Sequence, residues 1–162
     1  MKTVRNPAVA GSFYPAEPEK LKKELARCLT EESKTKKNAV GIVVPHAGYK
    51  YSGAIAGLVY NQVEVPVRFI ILSPNHTGLG EPYSIMPLGE WLTPLGSAKI
   101  DEDLASRFMK NCPLLKQDET AHAREHSLEV QIPFLQYLKK DFWFVPLSNY
   151  GSPTPIVIYA IC

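Results

Sequence analysis

Near-continuous apolar runs alternate along this chain with amphipathic stretches, and the two periods assign its elements. Residues 39–44, 67–72 and 142–147 are almost uninterrupted apolar segments, the pattern of strands covered on both faces. Between them the period lengthens. Leu21, Leu25, Cys28 and Leu29 recur at helical spacing, which predicts a helix over 18–33. Ile55, Leu58, Val59 and Gln62 predict a second over 53–62, and Leu128, Ile132, Leu135 and Leu138 another over 127–138, kinked at Pro133. Asp101 is placed to cap a helix whose buried stripe is Leu104, Phe108 and Cys112. Residues 79–100 are broken by prolines and read as edge or hairpin strands near 83–86 and 90–93. Residues 1–16, rich in Gly, Pro and aromatics, read as an ordered loop with no regular element.

Strands alternating with helices imply an α/β fold: a three-layer sandwich with a mostly parallel or mixed central sheet. The 162 residues suit one domain, 1–162. Beyond Leu147 the signals degrade. Residues 149–155 are loop-like, and the apolar segment 156–162 has no evident neighbour, so the sheet reads as incomplete and the tail 149–162 as departing from it.

Composition excludes several classes. Eighteen basic and sixteen acidic residues give a formal charge of +2, spread along the chain, which argues against a nucleic-acid partner. The one basic cluster, 34–37, reads as a solvated loop. No apolar stretch reaches the length of a membrane helix, and the start of the chain lacks a signal-peptide core, so a membrane is not implied. Cys28, Cys112 and Cys162 have no CxxC spacing, which fits a reducing, cytoplasmic setting. Neither a GxGxxG nor a GxxxxGK[ST] pattern occurs, so no nucleotide cofactor is indicated, and no GxSxG elbow is present.

The chemistry lies at the strand ends. His46 follows the first apolar run in Pro45-His46-Ala47-Gly48, and His76 follows the second in Pro74-Asn75-His76-Thr77-Gly78. Parallel strands end at one sheet edge, so a crossover helix between them turns both imidazoles into one crevice, where open α/β sheets bind ligands. His126 precedes a helix whose dipole would favour its neutral form, and His122 stands at i, i+4 from it, a chelating spacing if the segment is helical. Glu125, Asp118 and Glu119 lie in the neighbouring loop. Two or three neutral imidazoles with a carboxylate suit Fe(II), Cu or Zn and leave coordination positions open. His46 and His76 are the metal ligands of this reading and His126 is an acid/base or auxiliary ligand. Tyr49, Asn75 and Glu125 are candidate substrate contacts, and the third ligand stays open.

Five ordered segments resemble the Memo family, also called AmmeMemoRadiSam system protein B. They are Arg5-Asn6-Pro7-Ala8-Val9-Ala10-Gly11-Ser12-Phe13-Tyr14-Pro15, Val44-Pro45-His46-Ala47-Gly48-Tyr49-Lys50-Tyr51-Ser52-Gly53, Ser73-Pro74-Asn75-His76-Thr77-Gly78, Trp91-Leu92-Thr93-Pro94-Leu95-Gly96 and Glu125-His126-Ser127-Leu128-Glu129-Val130-Gln131-Ile132-Pro133-Phe134. The resemblance implies a fold related to the class III, non-haem-iron extradiol dioxygenases, with the histidines matching His46 and His76 lining the metal site and that matching His126 close by. It implies functions ranging from metal-dependent redox chemistry, through partnership with a radical-SAM enzyme and an AMMECR-type protein, to peptide binding. In many members a cysteine from a later strand end completes the metal site. No such motif occurs here, and the role is not carried to Cys162, so the chain reads as truncated after about residue 148. A non-catalytic binding module and an inactive fragment prone to homo-oligomerise are the competing expectations.

Overall fold

The structure, a computed structural model, describes residues 3–30, 35–150 and 156–160. Among the described residues nine strands form one mixed sheet: β1 (Val4–Arg5), β2 (Gly41–Val44), β3 (Arg68–Pro74), β4 (Tyr83–Ile85), β5 (Glu90–Thr93), β6 (Gly96–Ile100), β7 (Lys116–Gln117), β8 (Trp143–Asn149) and β9 (Ile156–Ala160). The main path runs β1-β5-β6-β8-β3-β9-β2, with β4 pairing the end of β8 and β7 pairing β4. Helices α1 (Pro18–Cys28), α2 (Tyr49–Tyr60) and α5 (Ile132–Leu138) bury the larger core against one face through Leu21, Leu25, Tyr60, Phe134 and the inward residues Phe69, Ile71 and Phe144. On the other face α3 (Glu102–Asn111) covers Ile70, Ile85 and Val145. The expected α/β sandwich with a mixed sheet is what forms. Among the described residues, no helix is long and apolar enough to cross a membrane.

β3 and β8 are the central parallel pair, in register from Arg68 opposite Trp143 to Pro74 opposite Asn149. β2 corrects the expectation of a strand covered on both faces: it lies at the end of the sheet, with Val44 buried and Val43 56% exposed. The apolar segment expected to lack a neighbour has two, because β9 inserts antiparallel between β2 and β3. The remainder of that tail, 151–155 and 161–162 with Cys162, lies outside the described residues.

The N-terminal segment is more regular than its composition suggested, since β1 pairs in parallel with β5 through long-range register alone. Helix α1 ends at Cys28, not near 33, as Leu29 leaves helical backbone at φ −99° and ψ 34°. Helix α2 starts at Tyr49, four residues before the expected Gly53, because the Tyr49 amide donates to the Phe13 carbonyl at 2.8 Å and the next turn closes on the Gly48 carbonyl. Pro133 sits in the first turn of α5, behind a 3₁₀ turn over Glu129–Gln131, where its missing N–H costs nothing, so no kink arises. Asp101 caps α3 as expected, accepting from the Leu104 amide at 3.1 Å.

Glycines that resemble loop signals are instead a packing device. Gly53 and Gly57, one helical turn apart on α2, face Cys28 of α1, and a Cβ built on Gly57 would lie 1.9 Å from the Cys28 carbonyl oxygen. The two helices touch backbone to backbone there. Gly57→Ala is therefore expected to force them apart and to destabilise the fold by about 1–3 kcal/mol or more, measured by urea denaturation. An unchanged midpoint would show that α1 can slide without loss.

Candidate metal centre

Both strand-end histidines point where the topology sends them. β2 and β3 run parallel, each antiparallel to the β9 between them, so the loops carrying His46 and His76 leave the same sheet edge. The two rings lie 5.1 Å apart, centroid to centroid. His126 comes from the loop before the 3₁₀ turn, with its ring stacked on His76 at 4.6 Å and 6.0 Å from His46. One ligand nitrogen from each of the three falls within 4.8 Å of the others. The sequence placed two donors, and the fold brings a third imidazole to the same point.

Glu125 organises the cluster from below. Its carboxylate is 1% exposed, too deep to touch a ligand in the open crevice. One oxygen accepts the His76 amide at 2.5 Å and the other lies 2.9 Å from His76 Nδ1, while the His126 and Ser127 amides donate at 2.9 and 2.8 Å. Burial alone would raise its pKa. The hydrogen bonds from His76 and Ser127 overcome that and hold the carboxyl below the usual range. An ionised acceptor at Nδ1 places the ring proton there, which leaves His76 Nε2 as the nitrogen able to bind a metal.

His46 and His126 are both held below the ordinary histidine pKa, chiefly by burial, with His76 adding to the effect at each and Glu125 opposing it. Neutral imidazole is the form a metal requires. The donors present fit a borderline transition metal: three nitrogen ligands converge, one with its tautomer fixed by a carboxylate.

Beside the cluster opens a crevice of about 510 Å³, walled by Phe13, Pro45, Ala47 and Tyr51, with His46 and His126 on its floor. Phe13 packs on His126 at 4.8 Å. Nothing in the sequence marked Phe13 for this, since its position depends on the long-range bond between residues 13 and 49.

Comparison with known proteins agrees with this arrangement of motifs. A family model described as Memo-like protein matches residues 5–152. The chain belongs to the Memo family. It is 45% identical over 156 residues to a MEMO1 family protein of Methanopyrus kandleri, covering 88% of this chain and 55% of that relative. It is 47% identical over 145 residues to one of Aquifex aeolicus (89% and 54%), and 42% over 165 residues to one of Methanobrevibacter smithii (93% and 58%). The chain spans about half the length of the curated relatives it matches.

In this Memo-family chain the other sequence candidates have structural occupations. Tyr49 is buried and its hydroxyl donates to the Val130 carbonyl at 2.8 Å. Asn75 shapes its own turn, accepting from Thr77 and Gly78 and donating to the Leu79 carbonyl. His122 does not join His126, because the short helix α4 (Thr120–Ala123) ends between them and the i, i+4 geometry never forms. It is buried instead, edge-on to Trp91 at 5.8 Å, with Nε2 finding no partner among the described residues.

Burial, reinforced by the Arg5 charge, lowers the His122 pKa to about 4. The unfolded chain, with an ordinary histidine near 6.5, binds more protons between those values, so the stability this residue permits is complete above pH 6.5 and is lost as pH falls toward 4. The expected loss is about 3 kcal/mol, with His46 and His126 acting in the same direction. His122→Gln should flatten the dependence measured by urea melts between pH 7 and 4. An identical slope in the variant would contradict it.

Proposed function

We propose that His46, His76 and His126 form a mononuclear transition-metal site, serving redox or oxygen-dependent chemistry on a small molecule held in the adjoining crevice. The observation that carries this reading is the convergence of three imidazole nitrogens within 4.8 Å. Kinship with the class III extradiol dioxygenases, which the family resemblance implies, favours Fe(II), with Cu and Zn as the other ions such donors accept. A bound ion supplies Lewis acidity or one-electron chemistry at the positions three protein ligands leave open. The chain's own residues orient and exclude. Glu125 fixes the His76 tautomer, Phe13 packs against His126, and the crevice wall presents a largely apolar surface beside the site.

The test is a titration of tag-free, metal-depleted protein with Fe(II) under anaerobic conditions, and separately with Cu(II) and Zn(II), against a competing chelator. One tightly bound equivalent of at least one ion is expected. Failure to retain any of the three through gel filtration would overturn the reading.

A further inference from the structure

The geometry points to Arg5 as a positioning residue for the histidine cluster, acting through the backbone of the loop that carries Glu125 and His126. This rests on the reading of the cluster as a metal site, and concerns how that site is held in shape.

Arg5 is 5% exposed and far from the crevice in sequence, yet all three of its nitrogens address one loop. Nε donates to the His122 carbonyl at 3.0 Å, Nη2 to the Glu125 carbonyl at 2.8 Å, and Nη1 to the Glu129 carboxylate at 2.5 Å. The guanidinium plane lies over Trp91, 4.2 Å from its ring centroid, so the fork cannot rotate freely. Residues 122, 125 and 129 bracket His126. The far side of the clamp is equally fixed: Glu129 also accepts the Ala8 and Val9 amides at 2.8 and 3.1 Å and the Tyr14 hydroxyl at 2.6 Å. The N-terminal segment therefore grips the loop at three points from one side, while the Glu125 carboxylate grips His76 on the other.

A rigid planar fork is what this task needs. Three donors in fixed relative directions meet three acceptors spread over eight residues, and a lysine in the same place keeps the charge but has one donor centre on a flexible stem. Such a side chain could retain the ion pair with Glu129. It could not also hold the carbonyls of His122 and Glu125. The Glu125 carboxylate would then shift relative to His76 Nδ1, and with it the tautomer and aim of the ring.

The test compares Arg5→Lys with wild type in metal-free, ¹⁵N-labelled protein at one pH, reading the side-chain nitrogen signals that report histidine tautomer, and in parallel measures Co(II) affinity. Wild type should show His76 as a single Nδ1–H tautomer. Arg5→Lys should show a mixture at His76, displaced His126 signals, and Co(II) binding weakened about 10-fold or more. Asp101→Asn, which loses the bidentate Arg68 pair away from the cluster, should cost stability without moving either histidine. Should Arg5→Lys not fold, Glu129→Gln keeps the volume and an acceptor while removing the ion pair, and should move the same signals less. Histidine signals that coincide with wild type in the folded variant overturn the proposal, even where metal still binds. Shifted signals in the variant, where wild type itself takes up no metal, uphold the positioning role and reject the metal reading.

Discussion

The His46→Ala/His76→Ala double variant is expected to lose stoichiometric Fe(II), Cu(II) or Zn(II) while staying folded, with a urea midpoint lowered only by the hydrogen bond that the buried Glu125 carboxylate loses. The two effects separate because the residues are half-buried at most: His46 is intermediate and the His76 side chain 44% exposed, so their removal opens no core cavity. Removing two of three converging donors leaves a single imidazole, whose affinity for a divalent ion is too weak to survive gel filtration, a fall well beyond about 100-fold given that even supporting groups outside the ligand set cost 10–100-fold. His126→Gln distinguishes the two roles considered for that residue. As a ligand its loss weakens retention; as an acid/base group beside the metal its loss leaves retention intact and affects turnover alone. Equal metal content in the double variant and the wild type would reject the assignment of both strand-end histidines.

The largest effect on stability is expected at Glu129. Its carboxylate is 1% exposed and is the shared acceptor for Arg5, Tyr14 and the amides of Ala8 and Val9. Glu129→Ala leaves the buried Arg5 charge without its counter-ion and the Tyr14 hydroxyl and the Ala8 and Val9 amides without an acceptor, and about 3–5 kcal/mol should be lost, seen as a shift of the urea midpoint. The paired charge is costly to break but not irreplaceable. Arg5→Met combined with Glu129→Leu should recover part of the loss, because neither charge is then stranded. A Glu129→Ala protein as stable as wild type would show that water reaches the pocket and satisfies the donors.

His46 and His76 were legible because their signal is local: an apolar run, then Pro, then His, repeated at two strand ends. The same holds for the stripe of α1 and the Asp101 cap. What could not be read depends on pairing across the chain. β1 exists only because β5 lies beside it, and β9 fills a gap between β2 and β3 that no local pattern announces. Glu129 sits next to Leu128 in an amphipathic stretch and looks like a solvated position. Its burial becomes visible only once Arg5, more than a hundred residues earlier, is placed against it. The 122/126 spacing could not be judged from sequence for the converse reason: it counts only within a helix, and the helix ends at Ala123.

β9 has a consequence for the reach of the cluster. Because it occupies the slot between β2 and β3, the two loops that carry His46 and His76 start two ladder spacings apart, roughly 9.6 Å, and not one. Their rings nonetheless meet at 5.1 Å, so the two side chains bridge the width that β9 occupies. That strand is the spacer of the cluster: it sets how far apart the loops carrying two of its three imidazoles begin.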